Sequence, residues 1–312
     1  MQVHRDLAQL PAFRSAIVTI GTFDGVHAGH RQIIALMKRE AQEHGGETVL
    51  ITFHPHPRDV VQVDGPPVYL LTTLEEKISA LEEAGLDHLV IVPFHDAFAN
   101  QSAEAYITQF LVARFHPHVM VIGHDHRFGK NRTGDFALLQ HLAPQHGFSV
   151  VEIPAFMLEE ITISSTRIRE AVLAGAISRA NQLLSYPYFF CGQVVLGNQL
   201  GRTIGFPTAN LQIADPRKLI PAHGVYAVRV DRMATGDSLN GMMNIGVRPT
   251  VDGTQRMIEV HIFDFDAMIY DEVLRIHVYH RLRDEQKFQG LDGLKAQLAQ
   301  DAANARELLQ AI

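Results

Sequence analysis

Two histidines three residues apart, His27 and His30, stand in the string Gly21-Thr22-Phe23-Asp24-Gly25-Val26-His27-Ala28-Gly29-His30. On the first turn of a helix that spacing sets both imidazoles on one face, where they can donate hydrogen bonds to the oxygens of one phosphate. Glycines at 21, 25 and 29 permit tight backbone and close ligand approach, and the first free amides of a helix add donors for an anion. A second string, Ile163-Ser164-Ser165-Thr166-Arg167-Ile168-Arg169, places three hydroxyls and a cation before a helical run that ends near Gly175. Taken singly, each has an ordinary explanation: surface histidines at a helix start, and N-caps worth about 1 kcal/mol. A third string, Gly201-Arg202-Thr203-Ile204-Gly205-Phe206-Pro207-Thr208-Ala209-Asn210-Leu211, is glycine-rich but lacks the Walker pattern and reads by itself as a loop plus a barrel strand. Glu259, amid Ile258, Val260 and Ile262, alternates away from the apolar side of its strand, as an outward surface glutamate does.

The flanking residues say what must position these groups. Ala16–Ile20 is a short β-branched run and Ile33–Met37 continues with helix formers, so a strand feeds a helix through the first string. Up to about residue 184, strand candidates Ile17–Ile20, Thr48–Thr52, His88–Val92, Val119–Ile122 and Ser149–Ile153 alternate with helical stretches such as Leu74–Ala84 and Ala103–Arg114. The pattern predicts a mainly parallel sheet covered by helices, with ligands at the carboxyl ends of its strands. Gly21–His30 and Gly123-His124-Asp125-His126-Arg127-Phe128-Gly129 both follow strands and are expected to face one crevice. After Ser185-Tyr186-Pro187 short β-rich runs take over: Phe189–Leu196, Val225–Val230, Met242–Val247, Ile258–Phe265 and Val273–Tyr279. Their spacing suits an antiparallel barrel or sandwich. Leu291, Leu294, Leu298, Ala302, Ala305 and Leu309 trace an amphipathic terminal helix expected to pack on it.

Composition narrows the classes. A length of 312 residues suits two domains, and a net charge of −7 without a dense basic run lacks the footprint of a nucleic-acid partner. Cys191 is the single cysteine, so no intrachain disulfide forms. Without a leader or an 18-residue apolar run, a soluble, cytoplasmic protein with no membrane contact is expected, and no obligate protein partner is evident. The paired histidines 54/56, 116/118 and 124/126 lack the cysteine pairs or H-E-x-x-H of a zinc site.

The first string resembles the H-x-G-H signature of the nucleotidyltransferases, and Ser164–Arg167 resembles their second signature, which holds departing pyrophosphate. The third closely resembles the G-R-x-x-G-F-P-T-A-N element of riboflavin kinases. Gly224-Val225-Tyr226, Asn244–Thr250, Glu259-Val260-His261 and Leu282–Phe288 agree with that kinase in order. From about residue 15 to its end the chain resembles the bacterial bifunctional riboflavin kinase/FAD synthetases. The resemblance implies a Rossmann-like FMN adenylyltransferase domain over 1–184 and a riboflavin kinase barrel over 185–312. It implies adenylyltransferase ATP contacts from Gly21, Phe23, Asp24, Gly29, Ser164, Ser165 and Thr166, with catalytic roles for His27, His30 and Arg167. It places flavin contacts at Asp125, Arg127 and Phe128, kinase ATP contacts at Gly201, Gly205, Thr208 and Asn210, and the general base at Glu259. Thr208 and Asn210 would also meet Mg²⁺, which favours hard oxygen ligands. Riboflavin, FMN, FAD and ATP would be the small-molecule partners. Two departures stand out: Thr22 replaces a common Asn, and His126 replaces a common Phe, leaving Phe128 as the aromatic available to the flavin. Two rival readings remain: a nucleotidyltransferase for another phosphorylated substrate fused to a barrel, and a flavin or nucleotide sensor without turnover.

Overall fold

The computed structural model describes residues 1–61, 68–123, 126–153, 164–197, 199–250 and 253–311, with the backbone alone at 248–250 and 253–255. Two units emerge, one of Met1–Val68 with Thr73–Ile163 and one of Tyr69–Thr72 with Ser164–Ile312.

In the first unit β1 (Gln2–His4), β2 (Ile17–Ile20), β3 (Thr48–His54), β4 (His88–Pro93), β5 (Val119–Gly123) and β6 (Ser149–Ile153) form one sheet in the order β1-β4-β3-β2-β5-β6. Every neighbouring pair is parallel. Ile17, Leu50 and Leu89 pack with Ile34 and Met37 of α1 (Ala28–His44) and with Ala80 and Leu81 of α2 (Leu74–Glu83). Val18, Val49 and Val90 pack on the other face with Phe98, Tyr106 and Phe110. Burial on both faces is why these strands read as unbroken apolar runs. β1 carries no such run, since Gln2 and Val3 are exposed, and sequence patterning passes it over. The helical stretch expected over Ala103–Arg114 opens into π-helical turns at Tyr106–Val112. There the rings of Tyr106 and Phe110 both meet Phe98, at 5.9 and 4.9 Å between centroids.

Chain order reverses at β2, with β3 and β4 to one side and β5 and β6 to the other. Such a switch point is where open α/β sheets bind ligands. The Gly21–His30 turn leaves β2 there, and the segment after Gly123 leaves the adjacent β5. His124 and Asp125 lie outside the described residues.

The second unit begins with α3 (Ser165–Leu173) and α4 (Ile177–Leu184). Its barrel comprises β7 (Tyr188–Val195), β8 (Ala209–Gln212), β9 (Gly224–Arg232), β10 (Ser238–Thr250), β11 (Gly253–Ile262) and β12 (Val273–Arg283). It closes in the order β10-β11-β8-β7-β12-β9 with antiparallel pairing, which leaves no free edge. α5 (Leu291–Gln310) lays Ala305 and Leu309 against Ala227, Met242 and Phe263 of the barrel.

The compact units divide at Ile163/Ser164, ahead of the change of sequence pattern at 185–187, because α3 and α4 are tied to the barrel. Asn181 donates to the Val278 carbonyl at 2.9 Å and accepts from the Tyr188 amide at 2.8 Å, and the Ala222 amide reaches the Val172 carbonyl at 3.3 Å. Tyr69–Thr72 joins the same unit through a parallel bridge between Leu70 and Lys218. Buried Lys218 donates to the Phe189 carbonyl at 2.9 Å and to that of Leu71.

Candidate active sites

The turn after β2 is strained and clamped. Phe23 (φ 46°), Gly25 (φ 83°) and Val26 (φ 37°) adopt the left-handed region, where a non-glycine residue costs of order 1–3 kcal/mol. Burial of the Phe23 and Val26 side chains in the core beneath α1 and α2 holds them there. A Cβ at Gly21 would stand 3.0 Å from the Phe23 ring, so glycine lets that ring fold back. His27 lies just outside α1 as its N-cap, with Nδ1 accepting from the His30 amide at 3.3 Å. The two histidines therefore do not sit side by side on a helical turn: their rings stack at 3.6 Å, and Phe23 stacks on His30 at 4.4 Å.

That stack sets the chemistry of His30. Burial, then the neighbouring His27 and Lys77, hold its pKa well below the ordinary 6.5. At neutral pH it is an uncharged imidazole, and its buried Nδ1 has no hydrogen-bond partner among the described residues. Lys77 is buried on the α2 face that packs beneath the turn; burial lowers its pKa and the charge of Asp24 opposes that shift. Asp24 is itself 1% exposed. The corner thus sets two stacked imidazoles and a buried amine at a helix N-terminus, donors suited to phosphate, while the buried Asp24 carboxyl offsets the charge of the amine.

Ser164 caps α3, its hydroxyl accepting from the Arg167 amide at 3.3 Å, so the ordinary capping role is realised. Ser165, Thr166 and Arg167 occupy the first turn, which carries no acidic residue, and buried Ile168 and Val172 anchor the helix. This string belongs to the second unit and the histidine turn to the first.

The barrel site is a ladder. Asn210 of β8 stands opposite Glu259 of β11, and Glu259 stands opposite Asn244 of β10. Directly opposed residues project to the same face of a sheet. Glu259, Asn244 and Thr208 line a cavity of about 530 Å³ whose other walls include Phe206, Phe288, Leu291 and Leu294. Asn210 borders a second cavity of about 520 Å³ with Gly197, Lys218 and Arg256. Asn210 is 7% exposed and its Oδ1 is buried without a hydrogen-bond partner among the described residues. The orphaned oxygen of Asn210 and the Thr208 hydroxyl two residues earlier are hard ligands of the kind an oxygen-seeking divalent cation takes, though they line different cavities. No cluster of three or more His, Cys, Asp or Glu suited to a metal occurs among the described residues.

The loop before β8 is shaped by its glycines. A Cβ at Gly201 would run into the Phe206 carbonyl, and Gly205 has φ +86°. The Phe206 amide donates to the Gly201 carbonyl at 2.8 Å. His261, two residues beyond Glu259 on β11, has Nδ1 2.7 Å from the Pro207 carbonyl and fixes the approach of Thr208.

Residues 10–167 match the family model described as FAD synthetase, and residues 184–309 match the one described as riboflavin kinase. A Haemophilus influenzae protein named bifunctional riboflavin kinase/FMN adenylyltransferase is 40% identical over 93% of this chain and 92% of its own length. The Escherichia coli K12 protein of that name is 38% identical over 97% and 95%. The chain belongs to the bifunctional riboflavin kinase/FMN adenylyltransferase family. A crystal structure from Streptococcus pneumoniae described as a macrolide-efflux protein also matches, with TM-score 0.85 and 31% identity over 96% of each chain. In this chain no helix among the described residues is long and apolar enough to cross a membrane.

Phe128 is a core residue: it is 6% exposed, its ring stacks on Tyr106 at 5.2 Å, and a Cβ at Gly134 would collide with it. Arg127 pairs with Asp135 at 2.6 Å. Lys77 was missed by sequence reading, although its signal was there: it lies three and four residues before Ala80 and Leu81, on the apolar face of a helix. His261 and Asn244 were quoted only as parts of family strings.

Proposed function

We propose that the chain phosphorylates riboflavin with ATP to FMN and then adenylylates FMN with a second ATP to FAD, releasing pyrophosphate. The observation that carries the first step is the Asn210–Glu259–Asn244 ladder beside a cavity with apolar and aromatic walls. Riboflavin's ring system occupies that cavity, and Glu259 removes the proton of the ribityl 5′-hydroxyl as its oxygen attacks the γ-phosphorus and ADP leaves in line. Thr208 and Asn210 would hold Mg²⁺, which when bound neutralises charge on the transferring phosphates. Gly201 and Gly205 allow the loop to approach the nucleotide closely.

In the second step FMN's phosphate is already ionised and needs no general base. It attacks the α-phosphorus of ATP. His27 and neutral His30 donate to the oxygens on which charge builds, within a turn whose ATP contacts include Gly21, Phe23, Asp24 and Gly29. Arg167, with Ser164, Ser165 and Thr166, takes up the departing pyrophosphate. Asp125, Arg127 and Phe128 contact the flavin. By this reading the adenylyltransferase spans 1–184 and the kinase 185–312. The enzyme works in the cytoplasm on small molecules, without nucleic acid or an obligate protein partner.

Incubation with riboflavin and Mg·ATP, followed by product analysis, tests the whole reading. FMN then FAD is expected. Adenylylation of a different phosphorylated acceptor, or binding without products, would replace it with one of the two rivals.

A further inference from the structure

The terminal helix α5 carries an acid where its apolar stripe should continue. Leu291, Leu294 and Leu298 line the 530 Å³ cavity, Ala305 and Leu309 dock on the barrel, and between them stands Asp301, only 1% exposed. Burying a carboxylate costs several kcal/mol, and an apolar side chain would dock a helix at least as well. Its partner is Arg283, the last residue of β12. Arg283 Nε lies 3.0 Å from both carboxylate oxygens and Nη2 lies 2.7 Å from Oδ2, while Gln297 donates to Oδ1 at 2.9 Å. Arg283 Nη1 donates to the Asp284 carbonyl at 2.9 Å, and its guanidinium lies 5.7 Å from the centre of the Phe288 ring.

These contacts bear on the site because Arg283, Glu285 and Phe288 all line the same cavity as Glu259. The Glu285 carboxylate covers Gly246, where a Cβ would collide with it and would stand 3.4 Å from the Asn244 amide nitrogen. A line of contact therefore runs from Asp301 through Arg283 and the segment 284–290 to Gly246, two residues along β10 from Asn244, the ladder neighbour of Glu259.

We infer that Asp301 is a positioning residue for the flavin acceptor: by holding Arg283 it fixes segment 284–290 and the start of α5 as one wall of the cavity. The inference rests on the proposed binding of riboflavin there. A planar guanidinium gripped at Nε and Nη2 is oriented, so it transmits the position of the helix to the wall as a flexible side chain would not. Asp301 sets how well riboflavin is bound and leaves ATP binding untouched.

The test is full-chain kinetics of Asp301→Asn and of the double variant Arg283→Met/Asp301→Leu, with thermal unfolding of each. The double variant removes both buried charges and should restore helix docking and parental unfolding temperature. In both variants riboflavin KM is expected to rise at least about tenfold with ATP KM within about twofold, and adenylylation of supplied FMN should be unchanged. Recovery of parental riboflavin KM in the double variant, or an unmoved KM in folded Asp301→Asn, would overturn the inference and leave the pair a helix clasp. Glu259→Gln separates the two levels: if it spares riboflavin phosphorylation, the assignment of the Glu259 cavity as the riboflavin site falls and the inference with it. If it abolishes turnover while Asp301 variants keep parental KM, only the inference falls.

Discussion

The two proposed active sites are built by opposite means. At the Gly21–His30 turn, side-chain burial forces an unfavourable backbone, with Phe23 and Val26 at positive φ and a stack of three rings fixing the imidazoles. In the barrel, relaxed β-ladders do the work: Asn210, Glu259 and Asn244 are brought together by strand register alone. The first site depends on its neighbours' packing, and the second on hydrogen-bonded pairing of strands distant in sequence. Mutations should therefore reach the first site through stability and protonation, and the second through local chemistry.

The sharpest separation is Glu259→Gln, expected to slow FMN formation by roughly 10²–10⁴-fold. Conversion of supplied FMN to FAD should continue at the parental rate. Near-normal riboflavin phosphorylation would return Glu259 to the surface category.

Next in size are His27→Ala and His30→Ala, each expected to slow adenylylation by roughly 10²–10³-fold while riboflavin phosphorylation survives. Because the rings stack and are proposed to serve one phosphate, the double variant should lose less than the product of the singles. A folded double variant making FAD at the parental rate would remove this turn from catalysis.

Lys77→Met deprives buried Asp24 of the ammonium on α2 and should destabilise the first unit by about 1–3 kcal/mol, measured by urea unfolding. Lys77→Met/Asp24→Asn should recover much of that loss. Equal stability of the single variant and the parent would show that the two charges do not interact.

The smallest effect is a pH dependence. The pKa of His30 is lowered on folding, so the unfolded chain binds a proton near pH 6.5 that the folded chain refuses, and stability falls as pH drops below about 6.5. His30→Phe, which keeps the stack without titrating, should flatten that part of the unfolding-temperature profile. An unchanged slope would assign it to other groups.

Much of the fold was legible because each element has a local signature. β2 through β5 are apolar runs, β2 and β6 have the expected bounds while β3, β4 and β5 run one or two residues further, and the stripe from Leu291 to Leu309 marks the terminal helix. β1 was harder, because Gln2–His4 is mostly exposed. The attachment of α3 and α4 to the barrel rests on Asn181 and a few backbone bonds, which leave no pattern in composition. At the sites, residue types announced His27 and His30, and resemblance to the riboflavin kinases pointed to Asn210 and Glu259; neither gave the buried environment that makes His30 neutral or the packing that encloses Phe128.

The sequence by itself determined the order of a parallel α/β region and a β-rich region, through periodicity and glycine placement. Its candidates for base and metal ligand came from resemblance to the riboflavin kinases. Only the tertiary structure decided that Glu259 faces a cavity, that Lys77 lies beneath the histidine turn, and that Asp301 grips Arg283. Each depends on residues far apart in the chain meeting where water is excluded. There a charge must find a partner, a constraint that no local stretch of sequence records.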